Sequence, residues 1–469
     1  MFDKIQFWRS PATAFTTIAS IFGVLLIFII PPFQSPDEYQ HFYRAFQLSE
    51  GQIIAEYQKG DCYGYSNYFP DRPCAGGTLP KSLLTTVRTA SQEDLRFRPE
   101  RKQKVEDILA ILDLPLNPDD RIFIKFPTIV LYSPIPYIPQ ITGITVAKLL
   151  NFSPLGMMYI GRFFNLLFWL AIGYWIIRTS PILKWVFVGL LLMPMSVFQS
   201  ASMSGDVFAI GISFLWLAFC LYCSFLSDKL TSKHTRSLFL FPLLIALTKQ
   251  AYLPLIFLYW LIPISKIGNF KKYILLFITI LVTCFTFSLT WYIVSSQIYV
   301  PLFEDVSLSG QVSFLIQKPF YLVRVIGNSV STFGLSYIEE FVGKLGWLDT
   351  RLPLPVIISY PFVLAVVAIG SCDRPFSLSW KQKTIGATIA ILNFCLIVTL
   401  FYLTLTPVGA DKVIYIQGRY LIPLSPLLFL PLANIRFNWI RDRVQIYLIA
   451  YFLIIETVTS ITLLNRYYF

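Results

Sequence analysis

Two adjacent acids, Asp37 and Glu38, stand in the stretch Ile30-Pro-Pro-Phe-Gln-Ser-Pro-Asp-Glu-Tyr-Gln-His-Phe-Tyr-Arg44, directly after the first long apolar run. An ionisable group at such a boundary is a candidate for chemistry, because burying it without a partner is costly. A plainer reading stands beside this one. Asp37 followed by Gln40 has the spacing of a capping box, at the start of a helix expected over Glu38 to Glu50 and closed by Gly51. Asp206, Lys249, Asp411, Lys412 and Arg419 fall near the same boundary, although they come from distant parts of the chain. They too have a plain alternative as solvated charges or ion pairs, for instance Asp206 with Lys249. His41 lies four residues after Asp37, on the same helical face, and a packing or hydrogen-bonding role suits it better than catalysis.

The signatures of soluble enzymes are missing. The sequence has no Gly-rich phosphate loop, no H-E-x-x-H, no G-x-S-x-G, and only His41 and His234 toward a zinc set. No D-x-D occurs near the acids, so a nucleotide sugar bound through a divalent metal is not indicated, and no cofactor is expected. A donor that needs no metal and already resides in the membrane fits.

The elements that must position these groups are membrane helices. Of 469 residues, 55% are hydrophobic, 17% aromatic and 14% charged, the composition of a polytopic membrane protein. The net charge of +12 does not point to nucleic acid, because the basic residues are interleaved between apolar runs. A span needs about 20 apolar residues, and cytoplasmic loops are enriched in Lys and Arg. Together these rules predict eleven spans.

The first span, Thr13 to Pro31, is expected to stay uncleaved, with Lys4 and Arg9 holding the N-terminus in the cytoplasm. The others are Tyr159–Ile177, Leu183–Ser200, Phe208–Leu226, Leu238–Leu247, Tyr252–Ile264, Ile274–Val294, Pro355–Ile369, Ile385–Leu405, Leu421–Leu432 and Val444–Leu464. Basic clusters such as Lys266, Lys271 and Lys272, or Arg436, Arg441 and Arg443, then alternate onto the cytoplasmic side. The acids lie outside. The chain reads as one domain, all-α, with a large first external loop over residues 34–150 carrying surface helices and a second external region over 295–354. Arg96 to Asp107 looks helical. Of seven cysteines, Cys220, Cys223, Cys284 and Cys395 fall in apolar spans and Cys372 in a basic loop. Cys62 and Cys74 share the first loop and are candidates for a disulfide in an oxidising compartment.

Ser35-Pro-Asp-Glu-Tyr-Gln-His-Phe-Tyr-Arg-Ala45, Tyr132-Ser-Pro-Ile-Pro-Tyr137, Arg162-Phe-Phe-Asn165, Met193-Pro-Met195 through Ser202-Met-Ser-Gly-Asp206, Lys249-Gln-Ala-Tyr252, Leu345-Gly-Trp-Leu-Asp349 and Gln417-Gly-Arg-Tyr420 carry a resemblance over nearly the whole chain. The chain resembles a family of bacterial polytopic membrane proteins built on a domain of unknown function. That family is in turn similar to the GT-C glycosyltransferases, among them protein O-mannosyltransferases and aminoarabinose transferases. The resemblance implies a GT-C-like bundle in the bacterial inner membrane, moving a sugar from a polyprenyl phosphate to an extracytoplasmic glycan or lipid-linked acceptor.

On that reading Asp37 is the general base, and Glu38 orients the acceptor or stands in for Asp37. Arg419 clamps the phosphate, with Gly418 leaving room for close approach; Lys249 and Arg162 are second choices. Asp206 positions the sugar or orients Lys249. Two rivals remain: a transporter or flippase for lipid-linked sugars, with these charges along its path, and a non-catalytic partner in polysaccharide export. The clustering of the acids at one face favours the enzyme.

Overall fold

The computed structural model describes residues 10–64, 73–91, 95–303, 305–370, 378–433 and 442–469. Lys4, Arg9, Cys372, Arg436 and Arg441 lie outside the described residues, as does the side chain of Arg443.

Helix α1 (Pro11–Ile29) starts on a proline, and Pro31 and Pro32, which lack an amide to donate, follow its end. Its 19 residues are about 28 Å long, close to the hydrocarbon thickness of a bilayer. After a turn comes α2 (Glu38–Ser49), closed by Gly51 at φ +82°. Every side chain of α2 but Ser49 is buried, polar ones included, so its polar groups need partners inside the protein.

The first loop adds β1 (Glu56–Gln58), β2 (Cys74–Pro80), α3 (Lys81–Ser91), α4 (Val105–Ala110) and β3 (Arg121–Lys125). The three strands form an antiparallel sheet in the order β1-β2-β3, an element the sequence reading did not contain. Gly76 faces Glu56 on one side and Lys125 on the other. A Cβ at Gly76 would lie 2.0 Å from the Ile124 carbonyl oxygen, so only glycine lets β2 meet β3 so closely. Cys62 and Cys74 are joined as a disulfide at the start of β2. The helix expected over Arg96 to Asp107 is reduced to the single turn and a half of α4; the residues before it are irregular.

A turn of 3-10 helix (Ile135–Tyr137) leads into α5 (Ile138–Leu149), which packs on α2 and on α6 (Pro154–Thr179). There follow α7 (Lys184–Leu191), α8 (Pro194–Ser200), α9 (Asp206–Phe225), α10 (Ser232–Thr248), a 3-10 stretch (Gln250–Leu261), α11 (Ile264–Ile267) and α12 (Phe270–Ser296). The remaining elements are α13 (Leu308–Gln317), α14 (Tyr321–Val342), the two-stranded β4 (Lys344–Leu345) and β5 (Thr350–Arg351), α15 (Leu354–Gly370) and α16 (Trp380–Leu405). A second 3-10 stretch (Gly418–Leu424), α17 (Ser425–Phe429), a 3-10 turn (Leu430–Leu432) and α18 (Asp442–Tyr467) complete the described elements.

Among the described residues six helices are long and apolar enough to cross a membrane: α1, α6, α9, α12, α16 and the Val444–Tyr467 part of α18. The other five expected spans are shorter or broken, each at a proline that removes a helical hydrogen bond. Pro194 divides α7 from α8, Pro242 lies inside α10, Pro254 inside the first 3-10 stretch, Pro361 inside α15, and Pro423 inside the second 3-10 stretch. Helix α9 is the most enclosed of the six and packs against α6 and α10. A large apolar core fills the space between these helices. A second, around Phe42, Phe46, Leu83, Phe126 and Met157, fastens the first loop to α2, α5 and the start of α6.

Candidate functional site

The site begins at the turn between α1 and α2. Asp37 does not cap α2: its backbone is left-handed (φ +59°, ψ +10°), and no amide of the first turn reaches its carboxylate. The capping box expected with Gln40 is absent. Gln40 Nε2 instead donates to Asp37 Oδ1 at 3.2 Å, and Gln40 Oε1 is fixed by the Thr128 hydroxyl at 2.7 Å. A left-handed aspartate costs of order 1 kcal/mol or more, and the surrounding contacts must hold it. The charges that act on Asp37 are, in falling order, Arg419, Arg96, Asp206 and Lys249.

Glu38 turns the other way. Its carboxylate takes two hydrogen bonds from Arg162, Oε1 from Nε at 2.8 Å and Oε2 from Nη2 at 2.7 Å, and a third from the Met203 amide at 3.0 Å. Arg162 spends its remaining donors on the carbonyls of Ile27, Ile30 and Pro31, at 2.8, 2.8 and 3.0 Å. Both side chains are fully enclosed. The roles expected for them at the acceptor and the phosphate are therefore corrected: with every Arg162 proton bonded and the Glu38 carboxylate taking three hydrogen bonds, the enclosed pair ties the end of α1 to α2, α6 and the turn before α9.

The third group sits where α9, α10 and the second 3-10 stretch meet. Gln140 and Asn165 bind the carbonyls of Ser202, Met203 and Ser204, which fixes the turn delivering Asp206 to the start of α9. Lys249 follows α10, whose last turn is pinned by Ser133 Oγ donating to the Leu247 carbonyl. Lys249 and Asp206 form an ion pair, and Arg419 Nε lies 3.8 Å from Asp206 Oδ2. The ammonium stands 5.4 Å from the Tyr132 ring centroid and 5.2 Å from that of Tyr420. Arg419 is 5% exposed, and its Nε has no hydrogen-bond partner.

Gly418 leaves room, as its residue type suggests, but for protein. A Cβ there would lie 1.9 Å from the Tyr337 carbonyl oxygen of α14, and the Gly418 amide donates to Glu340 Oε2 at 2.8 Å. The close approach seats Arg419.

His41 shares a hydrogen bond of 2.9 Å with the Tyr137 hydroxyl. Burial pushes its pKa down to about 3, so the ring is neutral at physiological pH. Burial raises the Asp37 carboxyl above its ordinary value, and Arg419 and Arg96 oppose that rise. Asp411 is exposed and Lys412 faces the Phe333 ring, so neither joins the group. Among the described residues no three His, Cys, Asp or Glu side chains gather as a metal site.

The structure thus brings Asp37, His41, Asp206, Lys249 and Arg419 together, with Tyr132, Tyr137 and Tyr420 around them, and sets Glu38 and Arg162 behind as their support. Arg96 is the charged residue that sequence reasoning missed. The signal was indirect: Trp347, on which Arg96 stacks, belongs to the Leu345-Gly-Trp-Leu-Asp349 motif. A partly buried carboxylate beside two guanidinium groups and an ammonium can accept a proton while the cations hold an anion.

Residues 20–428 match the sequence profile of a family described as "Predicted membrane protein (DUF2142)". The chain matches no curated protein and no solved structure.

Proposed function

The chain belongs to this DUF2142 family of membrane proteins, and from that premise we propose that it is a GT-C-like glycosyltransferase. It moves a sugar from a polyprenyl phosphate to a glycan or lipid-linked acceptor outside the cytoplasmic membrane of a bacterium. The observation that carries this reading is the buried Arg419 guanidinium, whose Nε makes no hydrogen bond and only a 3.8 Å ion-pair contact with Asp206, within electrostatic reach of a left-handed Asp37.

The chemistry asks for little more. Asp37 takes the proton from the acceptor hydroxyl as its oxygen attacks the anomeric carbon, with inversion. The bond from that carbon to the phosphate oxygen breaks, and the polyprenyl phosphate leaves on Arg419. A phosphate leaving group needs cations to hold it and no general acid, so neither metal nor cofactor enters. Asp206 keeps Lys249 and Arg419 in register, and His41, neutral and bound to Tyr137, shapes the wall beside Asp37. The raised pKa of Asp37 makes it a stronger base than a solvated aspartate. In this reading the five proline-broken stretches complete eleven crossings, the N-terminus is cytoplasmic, and the site faces outward.

Purified protein given a polyprenyl-phosphate sugar is expected to transfer the sugar or slowly hydrolyse it. Asp37→Asn should lose most of that activity at unchanged thermal stability, and the acid limb of wild-type kcat/KM should lie above the ordinary aspartate pKa. Arg419→Ala should weaken donor binding more than acceptor binding. Full activity in Asp37→Asn removes the base; equal loss of both substrates removes Arg419 from the phosphate. Translocation of an intact lipid-linked sugar without transfer would establish the flippase instead.

A further inference from the structure

Arg96 lies in the irregular part of the first external loop, yet it is held firmly. Its guanidinium carbon stands 3.8 Å from the Trp347 ring centroid and 4.9 Å from that of Phe97. Phe97 meets Trp347 edge-on at 5.9 Å, and Tyr39 of α2 leans on the same indole at 6.3 Å. One residue fixes both halves of the stack. Arg466, near the end of α18, donates through Nη2 to Asp349 Oδ2 at 2.7 Å and to the Leu95 carbonyl at 2.8 Å, and through Nη1 to the Arg101 carbonyl at 3.2 Å. The Gln103 amide adds a bond of 2.7 Å to the Tyr467 carbonyl.

What the stack lacks is an acceptor. Among the described residues Arg96 has no hydrogen-bond or ion-pair partner, and its Nε is enclosed without one. The Trp347 Nε1 is also unpartnered, on a side chain only 7% exposed. Of the cations acting on Asp37, Arg96 stands second to Arg419, and it comes from a different part of the chain. A guanidinium whose face is covered by an indole presents its edge, and that edge matches a planar pair of oxygens. Arg419 already lies with Asp206 and Lys249.

We infer that Arg96 and Trp347 form a second anion subsite, which takes a phosphate or carboxylate carried by the acceptor next to the hydroxyl that Asp37 deprotonates. This rests on the transferase reading, with Arg419 on the donor.

The test is equilibrium binding to the full-length protein in detergent. Glycerol 3-phosphate and glucuronate separate the two oxyanions, glycerol is the neutral control, and sugar-free polyprenyl phosphate reports the donor site. Wild type should bind at least one of the anions and not glycerol. Arg96→Gln should weaken that binding by about tenfold or more, the loss expected for one charge-assisted pair, while leaving polyprenyl phosphate binding and thermal stability unchanged. Arg96→Lys should recover part of it. Unchanged anion binding in Arg96→Gln overturns the subsite. Equal loss of polyprenyl phosphate overturns it as an acceptor site and moves Arg96 to the donor. Anion binding that depends on Arg96 in a protein that ignores polyprenyl phosphate keeps the anion subsite and sinks the transferase reading instead.

Discussion

Glu38→Gln and Arg162→Lys should act on stability before they act on chemistry, although Glu38 adjoins the proposed base. Arg162 directs five hydrogen bonds at fixed acceptors, two on Glu38 and three on the carbonyls that end α1. Lysine has three donors on one atom, so at least two of those five hydrogen bonds are lost, although Glu38 Oε1 and the Pro31 carbonyl keep a second donor in the Met203 and Gln34 amides. At about 1–3 kcal/mol for each lost bond to this buried charge, Arg162→Lys costs about 2–6 kcal/mol. Glu38→Gln keeps the shape but leaves an enclosed guanidinium without its counter-charge, which costs about 3–5 kcal/mol.

Glu38→Leu with Arg162→Met removes both charges and should be less destabilised than the two single losses added together. It will still fall short of wild type, because the Ile27 and Ile30 carbonyls lose the Arg162 donor. The assay is the apparent melting temperature of purified protein in detergent, with the monodispersity of a fluorescent fusion as a check on folding. A Glu38→Gln protein that melts with wild type refutes the structural assignment. If that same protein has lost transfer, Glu38 belongs to the reaction after all.

Two further substitutions probe the supports of the site. Gly418→Ala places a methyl group 1.9 Å from the Tyr337 carbonyl oxygen, so α14 and the 3-10 stretch must part; a loss of about 1–3 kcal/mol and weaker donor binding are expected, measured by melting and by donor titration. His41 is neutral in the fold down to about pH 3 but titrates near 6.5 when unfolded. Between those values the unfolded chain binds more protons, so stability present above pH 6.5 is lost as pH falls, by up to about 1.4 kcal/mol per unit. Melting curves from pH 7 to 5 should show that slope in wild type and a shallower one in His41→Gln; equal slopes would clear His41 of the effect.

The long helices were legible because twenty apolar residues have few alternatives to spanning, and α2 because Pro36 and Gly51 bracket it. The breaks in the five shorter stretches expected to span were not. Composition counts apolar residues and does not register that Pro194 or Pro254 interrupts the ladder. The sheet was hidden by Gly76 and Gly77, poor strand formers: Gly76 admits the close approach of β3 and Gly77 that of the Gln47 side chain from α2. At the site, position at the expected membrane boundary picked out Asp37, Asp206, Lys249 and Arg419, along with Asp411 and Lys412, which do not join them, but it could not divide labour between neighbours. Asp37 and Glu38 look alike in sequence and differ only because one backbone is left-handed and the other starts a helix. Arg96 was beyond reach, since its partner Trp347 lies some 250 residues away in the chain.

Helix ends, two of them beside the broken stretches that obscure the span count, build the site. Asp37 sits in the turn after α1, Asp206 at the first residue of α9, Lys249 where α10 gives way to 3-10 helix, and Arg419 at the opening of the second 3-10 stretch. All four occupy element ends. Within a bilayer, irregular backbone is tolerated only where protein or a water-filled cavity satisfies its polar groups, so helix ends are where charges can be placed at low cost. A continuous span would have carried these side chains into lipid or bound them in packing. It follows that the charges are positioned by whatever fixes the helix ends. For Asp37 that is the enclosed Glu38–Arg162 pair, one residue from the base and wholly out of contact with solvent.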